Sequence, residues 1–211
     1  MTKIGINGFG RIGPRRRRPF WSGPDCAPGG GQHYLGVTVR PWPGFEDKLP
    51  AFAQAIDYAY EHHGLLPVFI PIEGEKDPAA AQQVAGLLLK APAAILPACA
   101  SSELAIALSA RMDVALSMRL HALIFAAARG VPLVGVVYDP KVSAFLDCVN
   151  QDLYVHLDQL TADGLCALLD AAAARGQDRG ALEAKTARLV ELERVNHSLA
   201  AELLNHGEGA S

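Results

Sequence analysis

Apolar residues in the middle of this chain follow two rhythms. Short runs of consecutive apolar positions fall at residues 34–40, 66–71, 93–96, 113–117 and 133–137, and helix-length segments separate each from the next. A run that is apolar on both faces is the pattern of a strand covered by helices on both sides of a sheet. Strands alternating with helices predict an α/β domain built as a Rossmann-like, doubly wound parallel sheet. The count is five strands, or six with a short run at 153–155.

Local punctuation supports this register. A helix is predicted over residues 48–63, just before the second strand. Asp77-Pro78 and Asp139-Pro140 each read as an N-cap followed by proline at the first helical position. Ser101 can cap a helix through Leu108, and Gly130 can end the helix that begins near Leu120. These signals divide the chain into an atypical Gly/Pro/Arg-rich segment (1–33), a Rossmann-like domain (34–176) and a C-terminal helix with a frayed tail (177–211). The last helix carries Leu182, Leu189, Leu192, Val195, Leu199 and Leu203 at spacings of three, four and seven, one apolar stripe. That stripe has three possible supports: this domain, a partner domain, or a second chain.

Composition narrows the function classes. The chain has 211 residues, half of them apolar, with a formal charge of -3, so nothing in the balance calls for nucleic acid or an acidic membrane as partner. Arg15–Arg18 stand in a Pro/Gly-rich stretch without interleaved aromatics, the pattern of a solvated tail. Cys26, Cys99, Cys148 and Cys166 are far apart and form no CxxC pair, which argues against a structural zinc site or a disulfide framework. No apolar stretch approaches the roughly 18 residues of a membrane helix, and no leader-type apolar segment opens the chain, so a cytoplasmic protein is expected.

In an open parallel sheet, ligands bind beyond the carboxyl ends of the strands. The residues at that edge are Arg40 after the first strand and Glu73, Glu75 and Asp77 after the second. Arg119 and His121 follow the fourth, and Tyr138, Asp139 and Lys141 the fifth. Arg40, Arg119 and Lys141 are cationic and His121 can become so, which together would make an anion site. Arg119 and His121 also stand where a helix begins, so its free N–H groups and dipole favour the same charge. Each has a plainer reading as well: Arg40 as an ion-pair partner, Asp139 as an N-cap only, and Lys141 as a solvated first-turn residue.

The segment 117–141 (SMRLHALIFAAARGVPLVGVVYDPK) resembles the signature of the polysaccharide pyruvyl transferase family. Val37-Thr38-Val39-Arg40-Pro41-Trp42 and Phe69-Ile70-Pro71-Ile72 with Asp77 support the resemblance, which runs from about residue 34 to about residue 160. It implies the C-terminal half of a GT-B-like fold. It also implies transfer of a pyruvyl group from phosphoenolpyruvate to a sugar of a cell-surface polysaccharide or its lipid-linked precursor, giving a pyruvate ketal; no cofactor is expected, and no ligand cluster in the sequence argues for a metal. By position, Arg119 would hold the donor's phosphate or carboxylate and His121 would be the acid/base. Arg40 and Lys141 would neutralise donor charge, with Tyr138 and Asp139 beside them in the substrate site. The alternative is a non-catalytic, anion-binding remnant of such an enzyme.

Residues 2–13 (TKIGINGFGRIG) resemble the opening of glyceraldehyde-3-phosphate dehydrogenases, with Gly8, Gly10 and Gly13 in G-x-G-x-x-G. A dinucleotide site needs a helix directly after the glycines, then a second strand ending in an acid about 20 residues on. Pro14, four arginines, Pro19 and a Gly-rich stretch follow instead, so NAD binding is the weaker expectation.

Overall fold

The computed structural model describes residues 31–175 and 179–207, with side chains described through 175 and from 180 to 195. The dehydrogenase-like stretch, the arginine run and Cys26 lie outside the described residues.

Six parallel strands form one sheet: β1 (His33–Thr38), β2 (Leu65–Phe69), β3 (Ala94–Ile95), β4 (Val114–Ser117), β5 (Leu133–Val137) and β6 (Tyr154–His156). Their order is β3-β2-β1-β4-β5-β6. All five neighbouring pairs are parallel. This is the doubly wound sheet expected from the apolar runs. β4 and β5 are buried along their whole length, which is why no in/out alternation shows in their sequences.

Helices cover both faces. α1 (Leu49–His63), α2 (Lys76–Ala85) and α6 (Ala162–Arg175) pack on one core, centred on Phe52, Ile56, Leu116 and Leu169. α3 (Ser102–Ser109), α4 (Leu120–Ala127), α5 (Pro140–Cys148) and the start of α7 (Arg179–Gly207) cover the other, centred on Leu123, Leu133, Leu146 and Leu182. Ser101 caps α3 by accepting from Leu104 N, and Asp139 caps α5 by accepting from Lys141 N, as read from the sequence. Gly130, at φ +64°, reverses the chain after α4. Gly135 lets α5 lie against β5, where a Cβ would meet Leu146 and Tyr154.

One cap differs. α2 begins at Lys76 with Glu75 at the N-cap position, so Asp77 lies inside the first turn and Pro78 is one residue deeper still. Asp77 Oδ2 reaches back to accept from Ile72 N (3.1 Å) and Glu73 N (2.9 Å), ordering the loop before the helix. The local pattern was right about a helix start but assigned Asp77 too simple a role.

The apolar stripe of α7 is divided. Leu182 and Leu189 join the core beneath α4, and Thr186 Oγ1 donates toward Leu182 O and Glu183 O. Leu192 (55% exposed) and Val195 (53%) run on past the domain surface. The first half of the stripe therefore rests on this domain.

Candidate functional site

The strand order reverses between β1 and β4: from β1 the chain winds outward through β2 and β3, and from β4 it winds the other way. A crevice opens at such a switch point, beyond the carboxyl ends of the strands. Register aligns Thr38 with Ser117 and Ser117 with Gly135. Arg40, Arg119 and Tyr138 follow these positions by two or three residues, so all three reach the same rim.

Arg119 is fixed from two sides. At the end of β4, buried Ser117 Oγ accepts from Arg119 N (2.9 Å) and donates to Arg119 O (3.0 Å), pinning the strand-to-helix turn. The guanidinium is buried and bonds through Nε and Nη2 to Asp77 Oδ1, with Nη2 also 2.5 Å from Glu73 Oε2. Asp77 itself is 1% exposed. Burial works against the charge of Arg119, but the hydrogen bonds and charges of Asp77 and Glu73 outweigh it and raise its pKa. Arg119 in turn holds the Glu73 carboxyl below the usual range through its hydrogen bond and charge, with smaller pushes from Lys76 and Arg40. The arginine that the resemblance casts as the donor's anchor thus already serves two carboxylates, one of them buried.

Arg40 has different company. Its Nη1 donates to Tyr138 Oη at 2.8 Å. Its guanidinium carbon stands 5.1 Å from the Trp42 ring centre and 5.0 Å from that of Tyr138, and the two rings are 4.5 Å apart. Aromatic faces attract a cation without neutralising it. Arg40 Nε is buried with no hydrogen-bond partner among the described residues, an uncommon state for a buried donor. The charge of Arg40 lowers both Glu73 and Asp139, so its field spans both ends of the rim.

The other predicted residues divide. Lys141 joins the Arg40 group, with Nζ 5.9 Å from the Tyr138 ring centre, and pairs with Asp139 at 3.2 Å. The Lys141 backbone amide, then its side chain, holds the Asp139 carboxyl low. Asp139 is thus an N-cap that also pairs a lysine, in line with the plainer reading. His121, in the first turn of α4, is exposed; its ring lies 6.3 Å from that of Phe125 and takes no hydrogen bond from the described residues.

Sequence reasoning missed two features. Trp42, quoted only as part of a motif, is the aromatic partner of Arg40 and is 38% exposed. A groove of about 680 Å³ runs beside it, lined by Trp42, Asp47, Tyr138, Ser143, His156 and Asp158 among others. A Trp two residues after Arg40, between two prolines, was a legible hint of the first. The groove joins segments over a hundred residues apart and left no local signal. No cluster of three or more His, Cys, Asp or Glu suited to a metal occurs among the described residues. No described helix is long and apolar enough to cross a membrane.

Chemically, the rim offers a cationic fork free of carboxylate bonds, a lysine, and an accessible imidazole at a helix N-terminus. Such a set can bind a small dianion or trianion and move a proton beside it.

The family whose sequence pattern matches is the polysaccharide pyruvyl transferases, over residues 14–140. The match begins 20 residues before the stretch over which the quoted motifs carry the resemblance and leaves residues 2–13 outside. No curated protein matches the sequence. Among solved structures, the chain is similar to the calicheamicin glycosyltransferase CalG4, at 20% identity and a TM-score of 0.53, over 90% of this chain and 45% of that one. It is similar to the glycotransferase of kitacinnamycin at 17% identity and TM-score 0.51, over 86% and 47%. It is also similar to a structure described as trehalose-6-phosphate from E. coli bound with UDP-2-fluoro glucose, at 16% and 0.56, over 82% and 43%. At these identities the likeness is one of fold, and the chain spans less than half the length of each. The sheet and its long C-terminal helix are one half of a GT-B-like fold.

Proposed function

The chain belongs to the polysaccharide pyruvyl transferase family, and on that premise we propose that it is the donor-binding half of an enzyme that moves a pyruvyl group from phosphoenolpyruvate to a saccharide. The observation that carries this reading is Arg40: a guanidinium held by aromatic faces, with a buried unpartnered Nε, beside Lys141. Phosphoenolpyruvate carries a carboxylate and a phosphate close together, and a fork plus an ammonium suits both.

The roles differ from those the resemblance implies. Arg40 and Lys141 take the donor's charge. Arg119 is a positioning residue: its pair with Asp77 ties the β4–α4 turn to the β2–α2 loop and so sets where α4 begins. His121 manages protons. When two sugar hydroxyls add to the enol carbon and phosphate departs, one hydroxyl proton ends on the methylene carbon and the other on the phosphate. An accessible imidazole near neutral pH can relay one of them.

Thermal stabilisation by phosphoenolpyruvate tests the reading, with NAD and UDP-sugars alongside. A rise with phosphoenolpyruvate alone, lost in Arg40→Met, is expected. His121→Ala should keep the rise and lose phosphate release in the presence of acceptor; full turnover in that variant would sink the assignment. A rise with no turnover for any acceptor would support the second reading, an anion-binding domain without catalysis. A rise with NAD and none with phosphoenolpyruvate would reject both.

A further inference from the structure

The groove beside Trp42 is larger than the donor needs. Phosphoenolpyruvate has about ten non-hydrogen atoms, whereas pockets of roughly 300–1,000 Å³ hold drug-sized ligands. The groove's charge also differs from that of the rim. Asp47, exposed, makes no hydrogen bond among the described residues, and Asp158 and His156, both exposed, line the same groove. The one lysine in the lining, Lys48, spends its ammonium on the carbonyls of Asp158 (2.9 Å) and Leu160 (3.1 Å). Those bonds tie the start of α1 to the segment after β6 and fix the groove's width.

From these observations we infer that the groove seats the reacting pyranose of the acceptor, resting on Trp42 with hydroxyls bonded to Asp47 and His156; the inference rests on the transferase reading. Charge decides between occupants. A nucleotide would bring phosphates against Asp47, Asp139 and Asp158, whereas a neutral polyol gives each carboxylate hydroxyl donors. An indole offers the apolar surface that the C–H face of a sugar ring needs, and its contact with Tyr138 and Arg40 holds it still. The same Tyr138 borders the groove and bonds Arg40. Donor and acceptor sites therefore meet at one side chain, as transfer between them requires.

Saturation-transfer difference NMR on the full chain tests this, using the methyl glycosides of glucose, galactose and mannose, with and without phosphoenolpyruvate. Enhancement of the ring protons of at least one glycoside is expected, persisting when phosphoenolpyruvate is added. It should fall about tenfold in Trp42→Ala, as loss of a stacking surface predicts, and clearly in Asp47→Asn, an exposed change that leaves the core intact. Three results would overturn the inference: no enhancement with any of the three, displacement by phosphoenolpyruvate, or signals unchanged in both variants. Enhancement by tetramethylammonium alone would also overturn it and mark a cation site. Glycoside binding in a protein whose melting temperature phosphoenolpyruvate does not raise would remove the transferase reading, and with it the acceptor role, leaving only a saccharide-binding groove. The reverse pattern would remove the groove alone.

Discussion

Arg119 and Arg40 stand on the same rim of the sheet, a strand apart, and the protein treats them in opposite ways. Around Arg119 the chain places two carboxylates, one of them buried, so the guanidinium is spent on holding the β2–α2 loop against the β4–α4 turn. Around Arg40 it places two aromatic rings, one of them a phenol that accepts its hydrogen bond, which keep the side chain in position and leave its charge available. The contrast is one of charge: the first guanidinium is offset by two carboxylates and the second by none, and the roles proposed for them follow from that difference. What matters is whether its partners cancel its charge.

The largest effect expected from this contrast is on stability. Arg119→Met strands Asp77 as a buried carboxylate without a counter-charge, and breaking one side of such a pair loses about 3–5 kcal/mol. Urea unfolding should show that loss, and the double variant with Asp77→Asn should recover part of it. A loss below about 1 kcal/mol would mean that the clamp is not structural.

Arg40→Met is expected to do the reverse. Losing the aromatic contacts should remove only about 1 kcal/mol, while the rise in melting temperature given by phosphoenolpyruvate disappears. If Arg40→Met keeps the rise and Arg119→Lys, which keeps the charge, loses it, the two roles must be exchanged.

The smallest effect is one of pH. Glu73 titrates lower in the folded protein than in the unfolded chain, because Arg119 bonds and attracts it. Its contribution is therefore present at neutral pH and lost as the pH falls through its depressed folded value, below the ordinary carboxylate range near 4. Melting temperatures followed from about pH 6 down to about pH 3 should fall less steeply in Glu73→Gln than in the parent. Parallel curves would show that Glu73 adds nothing to the clamp.

Much of this was legible in advance. The runs at β4 and β5 are buried on both faces and read as inner strands. Ser101 and Asp139 cap the helices they precede. The placing of Arg40, Arg119 and Tyr138 beyond strand ends followed from the strand pattern alone. Asp77 was misread because Asp-Pro is a strong local cap signal, and a local signal carries nothing about a guanidinium 42 positions away. The split of the α7 stripe was hidden for a like reason: Leu182 and Leu192 look the same in a periodicity, and only α4 distinguishes them.

By itself, then, the sequence determined the sheet, its helices and the edge where chemistry would gather. Those follow from apolar periodicity and capping, which act over a few residues and are written in consecutive letters. Only the tertiary structure decided which of the rim's cations is neutralised, which donor is left buried without a partner, and where a groove opens. Each of those depends on groups from distant segments meeting within a few ångströms, where Coulomb and hydrogen-bond energies become large enough to assign roles.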